Sequence, residues 1–135
     1  MAIFDQIFMI LNEEKEVTMD NFFRMVKAYK YIQRELLTTD GDLFLTVDSL
    51  IILNNIITNS NNISLRRINV KPAGYNKQYM HFDQIESELY RLIDQFNDRY
   101  ISKRYFIKKF LNEIHPFSDG NGRLVKLCFI ISIER

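Results

Sequence analysis

The sequence predicts an all-α chain, mainly helical, with one small β-hairpin set among the helices. Three observations predict it. Apolar residues recur at three- and four-residue spacing through most of the 135 residues, as they do in helices that bury one face. Thr18, Thr46, Asp83 and Ser102 each stand where such a run begins, and these residue types cap free backbone N–H groups. Only the stretch between Leu65 and Phe82 drops the helical period, with Leu65, Ile68 and Val70 spaced among polar residues.

The elements follow in order. Ile3, Phe4, Ile7, Phe8, Ile10 and Leu11 line the first helix, which the charged run Glu13-Glu14-Lys15-Glu16 closes. Thr18 opens a second, with Phe22, Phe23, Val26, Tyr29, Ile32 and Leu36 as its apolar face. Residues 38–42 read Thr-Thr-Asp-Gly-Asp, a turn cluster. Thr46 caps a third helix that runs through Ile57 and breaks at the Asn-rich residues 59–62. Next comes the hairpin, turning at Pro72-Ala73-Gly74-Tyr75-Asn76 and returning over Gln78 to Phe82. A lone hairpin is marginal in water, so it must lie on helices or offer an edge for docking; a surface loop is the plain alternative. Asp83 with Glu86 three residues on resembles a capping box, and Ile85, Leu89, Leu92, Ile93 and Phe96 share a face after it. Ser102 starts a helix carrying Phe106, Phe110, Leu111 and Ile114. The last, from about Gly122, is apolar nearly all round, which marks a central buried helix.

Composition narrows the function. With 47% hydrophobic and 26% charged residues the chain is too apolar for disorder, and its length suits one domain. A formal net charge of +1 leaves no electrostatic footprint for nucleic acid. The longest apolar stretch, Leu127 to Ile131, is far short of the roughly 20 residues that span a bilayer. No membrane partner and a cytoplasmic location are therefore expected, with secretion into a host cell left open. The single Cys128 lies inside that stretch and reads as a small buried hydrophobe.

Residues 115–123 read His-Pro-Phe-Ser-Asp-Gly-Asn-Gly-Arg. Gly120-Asn121-Gly122 lets backbone amides converge into an anion nest at a helix N-terminus, where the dipole favours phosphate oxygens. Arg123 adds a permanently charged fork suited to phosphate. Asp119 is a hard oxygen ligand able to hold Mg²⁺ against phosphates. His115 offers a base that titrates near neutrality. Each piece alone has a structural reading: a core histidine, a plain turn, an Asx-turn. Together at this spacing they describe a phosphoryl or nucleotidyl transfer site.

This run is similar to the Fic family signature, His-Pro-Phe-x-Asp/Glu-Gly-Asn-Gly/Lys-Arg, at every specified position. The resemblance extends back over residues 45–135, with Leu45-Thr46 and its helix first and Arg66-Arg67-Ile68-Asn69-Val70 as the hairpin called the flap. Residues 1–40 match nothing specific and look like a variable helical addition to a single Fic domain. What the resemblance implies is a Fic-like helical bundle that moves AMP from ATP, with Mg²⁺, onto a Tyr, Thr or Ser hydroxyl of a target protein docked on the 66–82 hairpin. His115 would be the base, Asp119 the metal ligand, and Gly120, Asn121, Gly122 and Arg123 the phosphate cradle, with Phe117 as the anchor that aims His115.

Two departures stand out. Many members carry a second Arg where this chain has Lys126, which keeps the charge and loses the bidentate fork; it is expected to grip the nucleotide more weakly. Many also restrain themselves with Ser/Thr-x-x-x-Glu-Gly/Asn, whose Glu blocks the γ-phosphate site. No Glu here has Ser or Thr four residues before it. Restraint is then expected from a separate antitoxin-like partner or a segment outside this chain, or it is absent. Two other readings stay beside AMP transfer. One is a Doc-type kinase, or another phosphate-containing group transfer, on the same scaffold. The other is a catalytically weak interaction module. Doc-type loops typically have Ala and Lys where this chain has Gly120 and Gly122, which favours AMP transfer.

Overall fold

The structure is a computed structural model that describes residues 2–72 and 78–133, with side chains as far as Ile130. Its helices are α1 (Ile3–Glu13), α2 (Met19–Tyr31), α3 (Val47–Thr58), α4 (Phe82–Asn97), α5 (Lys103–Lys109) and α6 (Asn121–Ile133). Two of them widen at the end into a π-helical turn, Ile32–Leu36 after α2 and Phe110–Ile114 after α5. No helix among the described residues is long and apolar enough to cross a membrane.

The all-round apolar stretch is the central helix, as its pattern requires. Leu124, Val125, Leu127, Cys128 and Phe129 of α6 are all buried, and α1, α2, α3 and α5 pack against it. Burial pushes the Cys128 thiol up to about 12, so it stays a neutral hydrophobe. Phe96, Phe106, Phe110 and Phe129 form one aromatic cluster between α4, α5 and α6, with neighbouring centroids 5.3 to 5.8 Å apart. The N-terminal addition joins the same core through Ile7, Ile10, Leu11, Met25 and Ala28.

Several local expectations hold. The Thr18 and Ser102 hydroxyls accept from backbone N–H groups three residues on. Residues 38–42 do turn back, with Gly41 at φ +81° and an isolated antiparallel bridge between Leu37 and Leu43. Others shift. The capping box lies at Thr46 and Ser49; α4 is instead capped by His81, whose ring accepts from Asp83 N–H at 3.4 Å, which places Asp83 inside the helix. The buried stripe of α2 is centred on Met25 and Ala28, leaving Phe23 60% exposed. Phe4 and Phe8 also face outward, where they pack on Phe22 at 5.6 and 4.5 Å and shelter one another.

The hairpin needs the main correction: no strand forms among the described residues of 65–82. The expected turn at 72–76 lies, apart from Pro72, outside the described residues. The two arms do meet, Tyr79 N–H donating to Val70 O at 3.0 Å. A ladder fails because its groups have other partners. Ile68 O and Met80 O accept from the Arg66 guanidinium, Phe82 N–H donates to the Asn69 side chain, and Met80 N–H donates to Glu113 O at the end of the π-helical turn.

Candidate active site

The π-helical turn after α5 delivers His115. Its N–H closes the turn on Phe110 O at 2.8 Å, and the residue itself is left-handed, φ +48° and ψ +64°, a region that costs a side chain such as His free energy. Such wide turns recur at functional positions. Arg66 holds the strained residue in place. Its Nε donates to His115 O at 2.7 Å and an Nη to Ile114 O at 3.1 Å, while its own N–H donates to Pro116 O at 2.9 Å. Among the described residues every acceptor the guanidinium meets is a carbonyl, so this buried side chain sets a positive charge beside the histidine with no carboxylate of the described residues on it. Burial lowers the Arg66 pKa, though arginine remains charged.

The imidazole has a defined tautomer. Nδ1 lies 3.1 Å from Leu111 O, and a carbonyl can only accept, so Nδ1 carries the proton and Nε2 is the free base. Tyr79 covers the ring face, centroids 3.8 Å apart and planes within 3°. Burial lowers the His115 pKa, the Leu111 hydrogen bond works against it, and the Arg66 charge lowers it further. The base is therefore neutral at pH 7.

The loop beyond it is tightly built. Phe117 is buried, and the Asn121 side chain brackets it, accepting from Phe117 N–H at 3.1 Å and donating to Phe117 O at 2.8 Å. The Asn121 amide thus closes the loop; its backbone N–H, in the first turn of α6, is what can face an anion. Gly120 is at φ +84°, and a Cβ there would lie 2.6 Å from Thr58 Cγ2 and 2.9 Å from Asn54 Nδ2, so only glycine fits. Asn54 also donates to Asp119 O at 2.8 Å, tying the loop to α3. The Asp119 carboxylate is exposed; one oxygen accepts from Gly120 N–H at 2.9 Å and the other is 3.4 Å from the buried Arg123 guanidinium. Among the described residues no group of three acidic, His or Cys side chains could hold a metal. A single outward carboxylate does suit Mg²⁺, which keeps waters and takes substrate phosphates as its other ligands.

At the far end stands a residue that sequence reasoning did not assign. Glu14, just past α1, puts its carboxylate directly over Gly122: a Cβ on that glycine would fall 1.6 Å from Glu14 Oε1. The Glu14 carboxylate thus lies against Gly122, in the first turn of α6. Lys126 binds the same carboxylate at 3.0 Å and Glu13 at 2.9 Å. Burial lowers the Lys126 pKa, but the two glutamates outweigh it and the net shift is upward. The structure therefore brings His115, Asp119, Gly120, Asn121, Gly122, Arg123 and Lys126 onto one loop and the helix after it. It pairs Lys126 with Glu13 and Glu14. A cleft of about 440 Å³ opens beside the loop, lined by residues 61–68 with Phe117 and Ser118.

Comparison with known proteins bears on the family and the fold. The model of the Fic/DOC family matches residues 44–132. A Fic-domain-containing signaling protein from Bacteroides thetaiotaomicron is similar in fold, with a TM-score of 0.65, 21% identity, and coverage of 83% of this chain and 46% of its own. A Fic family protein from Desulfovibrio desulfuricans gives 0.64 and 16%, covering 96% of this chain and 42% of its own. The chain thus spans less than half the length of these two structures. No curated protein matches it. A match over most of the chain settles the family: the chain belongs to the Fic/DOC family.

Proposed function

We propose that this protein transfers AMP from ATP to a Tyr, Thr or Ser hydroxyl of a target protein. Fic-domain proteins are usually transferases. The observation that carries the AMP reading is the arrangement of the loop: a neutral base with free Nε2 precedes it, and a glycine-lined helix N-terminus follows it. His115 Nε2 takes the proton of the target hydroxyl. The oxygen attacks the α-phosphorus, a new P–O bond forms, and the bond to the oxygen bridging to the β-phosphate breaks, releasing pyrophosphate. The first amides of α6 and Arg123 bear the charge that develops on the phosphates. Asp119 would hold Mg²⁺, which when bound neutralises and orients phosphate oxygens.

In this reading Glu14 holds the phosphate seat until nucleotide replaces it. That adds a within-chain source of restraint which the Ser/Thr-x-x-x-Glu search did not reveal. Exposed ion pairs contribute about 0.2–1 kcal/mol each, and charge-assisted hydrogen bonds to a triphosphate are stronger, so the carboxylate is displaceable. The arm from Arg66 to Pro72 and the adjoining cleft would receive the target segment. Glycine at positions 120 and 122 favours AMP transfer over phosphoryl transfer by a nucleotide bound the other way round.

Incubating cell lysate in parallel with α-labelled and γ-labelled ATP, then weighing the modified protein, tests the reading. Label from the α-phosphate alone, with an adenylyl mass increment, is expected. Transfer of the γ-label with a phosphate increment would replace it with the kinase reading. No adduct, even with Glu14 replaced by Ala, would leave an interaction module.

A further inference from the structure

We propose that Tyr79 is a positioning residue for His115, holding the imidazole in the orientation and tautomer that leave Nε2 free. This rests on the proposed role of His115 as base. The stack is close and nearly parallel, 3.8 Å between centroids and 3° between planes. Tyr79 is itself anchored: its N–H donates to Val70 O at 3.0 Å, Met80 N–H donates to Glu113 O at 2.8 Å, and Met80 O accepts from Arg66. The ring is therefore carried by a segment tied to the same π-helical turn that delivers His115.

The histidine needs such support. Among the described residues one hydrogen bond, Nδ1 to Leu111 O, orients its ring, and rotation about the bond from Cβ to the ring would break it. A flat aromatic surface against one face resists that rotation, because turning the imidazole edge-on would drive its atoms into the phenol ring. Arg66 fixes the backbone of His115 and Tyr79 fixes its ring. Misplacing a reacting group by about 1 Å can cost on the order of a hundredfold in rate, so a loosened imidazole lowers turnover without touching nucleotide affinity. Stacking needs the ring and not the hydroxyl, which separates Phe from Leu at this position.

The experiment compares Tyr79→Phe and Tyr79→Leu with the parent in the full chain, using NMR of the His115 ring and steady-state kinetics. A parallel His81→Gln sample assigns the signals, since the chain has 2 histidines. In the parent and the Phe variant the His115 ring protons should show an aromatic ring-current shift and the Nδ1–H tautomer should dominate. In the Leu variant the shift should vanish and the Nε2–H form should gain population. kcat should fall about tenfold or more in the Leu variant, with KM for ATP unchanged and with the Phe variant close to the parent. An unchanged tautomer in the Leu variant overturns the proposal whether or not AMP transfer occurs. So does a Phe variant that behaves like Leu, or a kcat that rises on losing the ring, which would make Tyr79 a cover. If the NMR pattern holds but no transfer is seen in the parent, the proposed activity fails and the positioning of the ring stands.

Discussion

The two ends of the loop are held by different forces. At the His115 end the contacts are neutral or charge-to-carbonyl: Arg66 on the carbonyls of Ile114 and His115, Nδ1 on Leu111 O, and Tyr79 on the ring face. Such contacts respond little to salt and have no competitor in solution. At the Gly122 end the contacts are ionic, Glu13 and Glu14 on Lys126, with side chains 28 to 56% exposed. Ion pairs at that exposure are screened by salt and yield to a better anion. On the proposed reading the chemistry is preorganised and the binding seat is exchangeable, so substitutions at the two ends should change different quantities.

The largest effect should come from His115→Ala. A positioned base contributes about 10²–10⁴-fold, so transfer should fall by at least that much while ATP affinity, read by calorimetry, stays within about twofold. Persisting transfer by clean protein would mean that another group takes the proton. Glu14→Ala should act in the opposite sense and at the other end. If the carboxylate holds the seat in about nine molecules of ten, removing it tightens ATP about tenfold, and the salt dependence of binding should change with it. Unaltered affinity would show that the nucleotide does not compete with Glu14.

The contrast between the ends also explains what could be read in advance. His115, Asp119, Gly120 and Arg123 fall within nine residues, where local chemistry is visible as a pattern. The central placement of α6 followed from its all-round apolar surface, and the buried face of α4 from its period. Glu14 and Lys126 are 112 positions apart, and nothing in a local window marks the Glu13-Glu14 run as more than a solvated helix end. Tyr79 and Arg66 share the difficulty. Their segment looked like a hairpin because its side chains alternate, whereas the structure uses Arg66 to take the carbonyls a ladder would need. The expected α2 face was right for Phe22, Val26, Tyr29, Ile32 and Leu36, wrong for the exposed Phe23, and lacked Met25 and Ala28, which the larger aromatic residues overshadow in the pattern.

Lys126→Arg should have a smaller and conditional effect. The guanidinium fork would hold phosphate better than an ammonium, which alone predicts tighter ATP. It would also hold Glu14 and Glu13 better, which opposes nucleotide entry. In the native background the two should nearly cancel, leaving a change of about twofold or less. With Glu14 already replaced by Ala, the same substitution should tighten ATP by several-fold, and the double-mutant cycle isolates the coupling. Additive effects in that cycle would show that Lys126 does not choose between the carboxylate and the nucleotide.

The smallest effect concerns pH and isolates the His115 end. Burial and the Arg66 charge hold its pKa below the ordinary 6.5, so in the folded protein the imidazole protonates later than in the unfolded chain. As pH falls through 6.5 the unfolded state takes up the proton first, and the stability His115 contributes above 6.5 is lost on the way down to its folded pKa. The same shift favours the neutral base, so the acidic limb of kcat/KM should lie below the ordinary 6.5. Arg66→Lys at constant ionic strength sharpens the test. The ammonium keeps the charge but cannot reach the same set of carbonyls, so stability should fall while the acidic limb barely moves. Removing the charge with Arg66→Gln should shift that limb upward, measured in variants still folded by circular dichroism. A limb already near 6.5 in the parent and unmoved by Arg66→Gln would mean that neither burial nor the guanidinium tunes this histidine.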